Sequence, residues 1–168
     1  MIEKLKLKNN IDVLDFFNNT YDKYSDFYIT KDKQRIYLKN NLYLIKKFLK
    51  NQEVYGEINK DLEGIITIYK EKGFRPYLKI LAKNNNIVKR FIKFVIWNFS
   101  NNDLYVKLKK ENPLGGILQS YGFKYIGNRG TFDKPGSEIL LFRPKNKFNK
   151  VGDSHANYYN KDKESDWR

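Results

Sequence analysis

Leu104-Tyr105-Val106-Lys107-Leu108, then Asn112-Pro113-Leu114-Gly115-Gly116-Ile117-Leu118-Gln119-Ser120-Tyr121-Gly122-Phe123, and last Glu138-Ile139-Leu140-Leu141-Phe142, decide how this chain folds. The first run, over 104–109, alternates apolar with polar residues as a half-buried strand does. Asn112 opens a short helix from Pro113, a residue suited to the first helical position because no N–H is needed there. Gly122 ends it, a strand follows over 123–126, and Gly and Pro place a turn over 127–137. The run at 138–143 is the last strand.

Upstream, Tyr77-Leu78-Lys79-Ile80-Leu81-Ala82 reads as a strand, after which the apolar period switches from two to 3.6. Val88, Phe91, Ile92, Val95 and Phe99 fall on one helical face, with Lys89, Arg90, Lys93 and Trp97 on the other. Runs over 53–58 and 62–69, separated by Asn59-Lys60-Asp61, predict a hairpin. Apolar spacing from Ile36 to Leu49 predicts a helix over 35–49, and Asn10 caps an earlier helix carrying Ile11, Leu14 and Phe17. A short strand is expected over 2–7. The expected organisation is one domain over 1–143, followed by a polar tail, 144–168, that carries His155 and Trp167.

Composition narrows the chemistry. With no cysteine and one histidine, disulfide scaffolds, thiol nucleophiles, haem and zinc sites are excluded, and so is a Ser-His pair unless His155 is recruited from the tail. Any catalysis therefore runs on carboxylates, tyrosines, lysines and backbone groups. The formal charge is +14, with 27 of the 33 basic residues lysine. A lysine-rich, Asn-, Ile- and Tyr-rich chain fits the A/T-rich codons of low-GC genomes, phages among them. Codon bias alone would spread the charge evenly. Residues 70–110 instead hold eleven basic residues against Glu71 and Asp103, a balance of +9, which keeps a nucleic-acid partner open. Neither a signal peptide nor a run of ~20 apolar residues is present, so a cytoplasmic protein without a membrane partner is expected.

The order strand, two helices, hairpin, strand, helix, strand, helix, hairpin resembles the GNAT N-acetyltransferase superfamily, and Asn112 with Gly115 and Gly122-Phe123 carries the resemblance most closely. It implies an α/β (α+β) three-layer fold: a mixed, splayed sheet with helices on both faces. In that family the fourth strand parts from the fifth, and acetyl-CoA lies in the wedge. A strand N–H holds the thioester carbonyl and a helix N-terminus holds the pyrophosphate, which is sound chemistry for developing oxyanion charge and for phosphate. The resemblance puts the strand donors at Leu81, Ala82 and Lys83. It puts the helix start at Asn86, Ile87 and Val88, adds charge from Lys89 and Arg90, and brings Asn112 to the cleft.

Two departures bear on the chemistry. The family's glycine-bearing pyrophosphate loop is replaced by Lys83-Asn84-Asn85-Asn86, with no glycine between Gly73 and Gly115. Asparagine tolerates left-handed backbone, so a partial anion nest and a plain Asn-capped helix that binds no phosphate are both open readings. The tyrosine that in many relatives protonates the departing thiolate is Gln119 here. Tyr121 is then the nearest hydroxyl, as a general acid or as a half-buried packing residue. Glu57, Glu63 and Glu138 are strand-borne candidates for a general base, with Glu57 first. Trp97, beside Lys89, Arg90 and Lys93, either stacks a base or is covered by the aromatic tail.

Two function classes follow from the resemblance and the charge. One is an acyltransferase moving an acyl group from a CoA thioester to an amine, which could be a polyamine, a protein amine or a nucleotide amine. The other is a catalytically lapsed or CoA-independent module of the same fold that binds or modifies nucleic acid, any binding being electrostatic and largely indifferent to sequence.

Overall fold

The computed structural model describes residues 1–6, 11–20, 27–32, 34–38, 41–50, 52–71, 75–131 and 134–145. Its elements are β1 (Ile2–Lys4), α1 (Ile11–Thr20), β2 (Tyr28–Lys31), β3 (Gln34–Tyr37), α2 (Leu42–Leu49), β4 (Glu53–Asn59) and β5 (Asp61–Glu71). Then follow β6 (Arg75–Ala82), α3 (Asn85–Asn98), β7 (Leu104–Lys109), α4 (Leu114–Ser120), β8 (Lys124–Thr131) and β9 (Lys134–Arg143). Seven strands form one sheet in the order β1-β4-β5-β6-β7-β9-β8, and β2 with β3 forms a separate hairpin. All neighbours in the large sheet are antiparallel except β6 and β7, which run parallel.

Side-chain alternation divides the burial into two cores. Leu78 and Ile80 of β6, Ile66 and Ile68 of β5 and Val106 and Leu108 of β7 pack with α3 and α4 on one face. Leu81, Ile65 and Val54 belong to the opposite face with α1 and α2. Such a sheet, apolar on both sides, is the middle layer of a three-layer fold. Gly64 lets α3 come down close, because a Cβ there would stand 2.7 Å from both Ile87 Cγ2 and Phe91 Cε2.

The helix expected over 35–49 begins only at Leu42. The residues before it form β3, which returns along β2 with Tyr28 opposite Tyr37. Ile36 and Leu38 are spaced by two, the strand period, and Asp32 turns the hairpin at a φ of 51°. Asn41 then starts a new element, its Oδ1 accepting the Leu44 N–H at 3.0 Å. The turn expected over 127–137 is also strand. β8 continues to Thr131 and β9 starts at Lys134, with register shifts at Tyr125/Gly127 and Arg129/Thr131. Glycine and proline punctuate an edge strand through bulges as readily as they end one. Asn10, Leu7 and the tail from 146 onward, including His155 and Trp167, lie outside the described residues. Among the described residues no helix is long and apolar enough to cross a membrane.

Candidate functional site at the splayed strands

Parallel pairing between β6 and β7 is limited to Tyr77 and Tyr105, near the start of both strands. Beyond that pair they part, and β6 keeps its antiparallel register with β5 as far as Gly64 opposite Ala82. The Lys83 N–H donates to the Glu63 carbonyl at 3.0 Å. Because amides alternate between the two edges of a strand, Leu81 and Lys83 direct theirs to β5, while Ile80 and Ala82 present theirs to the gap. Of the three expected strand donors, Ala82 is thus the one whose amide faces the opening.

The opening leads to the first turn of α3. Asn84 Oδ1 accepts the Ile87 N–H at 3.0 Å and the Asn84 carbonyl accepts the Val88 N–H at 3.3 Å, so the Ile87 and Val88 amides serve the cap. Their side chains are buried beneath it. The Asn85 and Asn86 amides remain at the helix mouth, beside exposed Lys83. Phe94 packs on Tyr55 at 4.9 Å, which identifies the flank of α3 turned toward β4. Arg90, one turn earlier, is on that flank. Lys89 is rotated about 100° farther round, toward β7 and the opening.

Arg90 is engaged. Its Nε donates to Glu57 Oε1 at 2.7 Å, and Glu57 also pairs with the Met1 amine. Glu57 is buried on the α3 side of β4, with β5 between it and β6. Burial pushes its carboxyl up, but hydrogen bonds from the Met1 amine and Arg90 outweigh that and hold it below the ordinary value. Asn59 Nδ2 links it to Glu63, bonding Glu57 Oε2 at 3.3 Å and Glu63 Oε1 at 3.1 Å. Two of the three candidate bases therefore share one network away from the gap.

Asn112 Oδ1 accepts the Leu114 N–H at 2.9 Å and so opens α4. Gly115 is buried in its first turn and Gln119 is exposed in its second. Tyr121 ends the helix half-buried against the α3-side core. Its carbonyl accepts from Arg143 Nε at 3.0 Å, and Arg143 pairs with Leu104. That places the Tyr121 backbone near the closed end of the wedge, with β7 running about 17 Å from Leu104 to its open end.

The α1/α2 side of the gap holds residues that sequence reasoning did not single out. Tyr77 and Lys79 of β6 and Tyr105, Lys107 and Lys109 of β7 share it, as strand parity requires. Lys109 is 4% exposed, and Glu138, the third candidate base, lies opposite it in register. An odd-numbered Lys-Tyr alternation over 77–79 and 105–109 was the available signal. A cavity of about 560 Å³ lies apart from these residues, between α1 and the β4–β5 turn, lined by Asp12, Phe16, Asp61, Leu62 and, past the end of β6, Lys83 among others.

No protein-family model and no curated protein matches the chain. Solved structures do. A probable acetyltransferase from Staphylococcus epidermidis ATCC 12228 superposes with a TM-score of 0.65 at 16% identity, over 87% of this chain and 99% of that one. A GNAT family acetyltransferase from Elizabethkingia anophelis, with acetyl-CoA bound, gives 0.61 at 18% identity over 86% and 97%. The ribosomal-protein-alanine N-acetyltransferase from Brucella melitensis gives 0.55 at 14% identity over 86% and 99%. Strand order, the parallel β6–β7 pair, alone among the described strands, and these superpositions make this the fold of the GNAT acetyltransferases.

Proposed function

We propose that the chain is an acyltransferase that moves an acyl group, acetyl in the first instance, from a CoA thioester to an amine. The observation that carries this reading is the gap between β6 and β7, into which Ile80 and Ala82 turn their amides. A CoA thioester supplies an activated acyl carbon and a thiolate leaving group. The residues present fit it: the Ala82 amide is placed to take developing oxyanion charge. The Asn85 and Asn86 amides, with Lys83 and Lys89, suit a pyrophosphate at the α3 mouth. Two amides and the asparagine cap stand in for the glycine loop. The amine enters from the α1/α2 side, forms a C–N bond as the C–S bond breaks, and gives up a proton. Glu138 is the candidate carboxylate on that side; Tyr121, whose backbone lies near the closed end of the wedge, is the candidate acid for a sulfur bound toward that end rather than beside Ala82.

Thermal unfolding with acetyl-CoA at about a hundred times its dissociation constant should show roughly 2.7 kcal/mol of added stability. Tyr121→Phe should lower kcat and leave acetyl-CoA affinity intact, whereas equal turnover would assign Tyr121 to packing. A chain that acetyl-CoA does not stabilise would defeat the reading. The outer face of α3 favours a second one, since Trp97 is 82% exposed there beside Lys93. Sequence-indifferent nucleic-acid binding through that face would weaken steeply with salt, by about −0.9 in log-log slope per phosphate neutralised.

A further inference from the structure

The cavity of about 560 Å³ between α1 and the β4–β5 turn has two walls of opposite charge. One wall is α1. Asp12, Asp15, Asn19 and Phe16, Thr20 recur on it at intervals of three and four, the spacing of one helical face, and Ile11–Thr20 contains no basic residue. The facing wall carries Lys6 beyond β1, Lys60 in the β4–β5 turn and Lys83 past β6, against the single carboxylate of Asp61. All six of these charged side chains are exposed, and among the described residues none makes an ion pair or a side-chain hydrogen bond. The open space keeps opposite charges from neutralising one another. Val13 and Phe16, buried, with Leu5 and Leu62, partly buried, give the lining an apolar surface continuous with the α1/α2 core. The Thr20 hydroxyl in the same lining is buried and has no hydrogen-bond partner among the described residues, and such a group calls for one.

This lining discriminates between ligand classes. A polyamine would satisfy the α1 wall and be repelled by the three lysines, and a polyphosphate would meet the reverse. A neutral apolar compound would cover Phe16 and Leu62 but strip water from charges it cannot pair. A zwitterion with an apolar body meets all three surfaces. Its ammonium donates to the carboxylates of α1, its carboxylate accepts from a lysine of the facing wall, and its body lies on the apolar lining. The volume falls within the roughly 300–1,000 Å³ of small-molecule sites, with room for an amino acid or a dipeptide.

We propose that this cavity is a binding site for a small zwitterion with an apolar side chain, of amino-acid or dipeptide chemistry, its ammonium held by Asp12 and Asp15 and its carboxylate by Lys60. The site goes beyond the acyltransferase reading and needs no thioester, because the Ala82 amide serves the β6–β7 gap and not this space. Calorimetric titration of the full chain, without CoA, with L-leucyl-L-leucine, its N-acetyl derivative, its C-terminal amide, spermidine and tripolyphosphate is the experiment. The dipeptide should bind at least about tenfold more tightly than any of the other four. Asp15→Asn and Lys60→Met should each weaken it by about tenfold, and both should keep the wild-type Tm within about 2 °C, since each removes an exposed, unpaired charge. The two variants also separate the two ends of the ligand. Asp15→Asn should narrow the gap between the dipeptide and its N-acetyl derivative, and Lys60→Met the gap between the dipeptide and its amide. No measurable binding of the dipeptide, equal binding of either blocked form, preference for spermidine or tripolyphosphate, or affinity indifferent to both variants would each overturn the proposal. Since no CoA is present, none of these results touches the acyltransferase reading, which stands or falls on acetyl-CoA.

Discussion

Glu57 is 1% exposed and lies between two cations, the Met1 amine and the half-exposed Arg90. A buried carboxylate survives only when its oxygens are so occupied. Its carboxyl titrates below the ordinary range despite the upward push of burial. A group of that kind binds fewer protons folded than unfolded, so its contribution is complete above its unfolded pKa of about 4.3 and is lost as pH falls through the lowered folded value. Urea unfolding of the wild type and Glu57→Gln should therefore differ by about 1–3 kcal/mol at pH 7. The difference should shrink as the pH drops below about 4, and a gap that stays constant to pH 2 would refute the assignment. Sequence alone could not reveal this pair, since Arg90 follows Glu57 by 33 residues. A glutamate on an alternating strand reads as solvent-facing until its helix partner is placed. Ala82 shows the converse: the resemblance pointed to 81–83, and only the register with β5 identified which amide of the three is turned to the gap.

At the scale of elements, the helix-sheet contacts depend on glycines of different kinds. Gly64 sits under α3, where a methyl would meet buried Ile87 and Phe91 side chains at 2.7 Å. Gly116 is exposed on α4, and an added Cβ would meet nothing within 4 Å. Gly64→Ala should cost about 1–3 kcal/mol by overpacking, and Gly116→Ala should add about 0.5–1 kcal/mol through helix propensity. Denaturant unfolding checks both, and equal signs for the two would contradict the packing described. The long elements were legible because their periodicity is long: α3 and β7 show it over whole faces. The β2–β3 hairpin was missed because each strand is four residues and its turn lacks the Asn-Gly or Asp-Gly pair that marks tight hairpins. Tyr28-Ile29-Thr30 and Ile36-Tyr37, β-formers around Asp32, were the trace it left.

Over the whole molecule, the sheet separates two sets of polar residues that flank one gap. The α3 mouth, with Lys83 and Lys89, belongs to one end and flank of the opening. The tyrosines and lysines under the β2–β3 hairpin belong to the α1/α2 side. The +9 balance over 70–110, legible in the sequence as an uneven charge, divides in the fold between these sides and the pair made by Arg90 with Glu57. A one-dimensional charge count cannot make that division, because strand parity and helix rotation send adjacent basic residues to different places. Lys89→Glu should raise the dissociation constant for acetyl-CoA, while Lys107→Glu, on the α1/α2 side, should leave it unchanged. In the double variant the loss should match that of Lys89→Glu alone, within about 0.3–0.5 kcal/mol. Calorimetry on the four proteins measures this directly. A loss from Lys107→Glu, or a coupling well beyond that range, would mean that acetyl-CoA meets lysines on both sides of the gap.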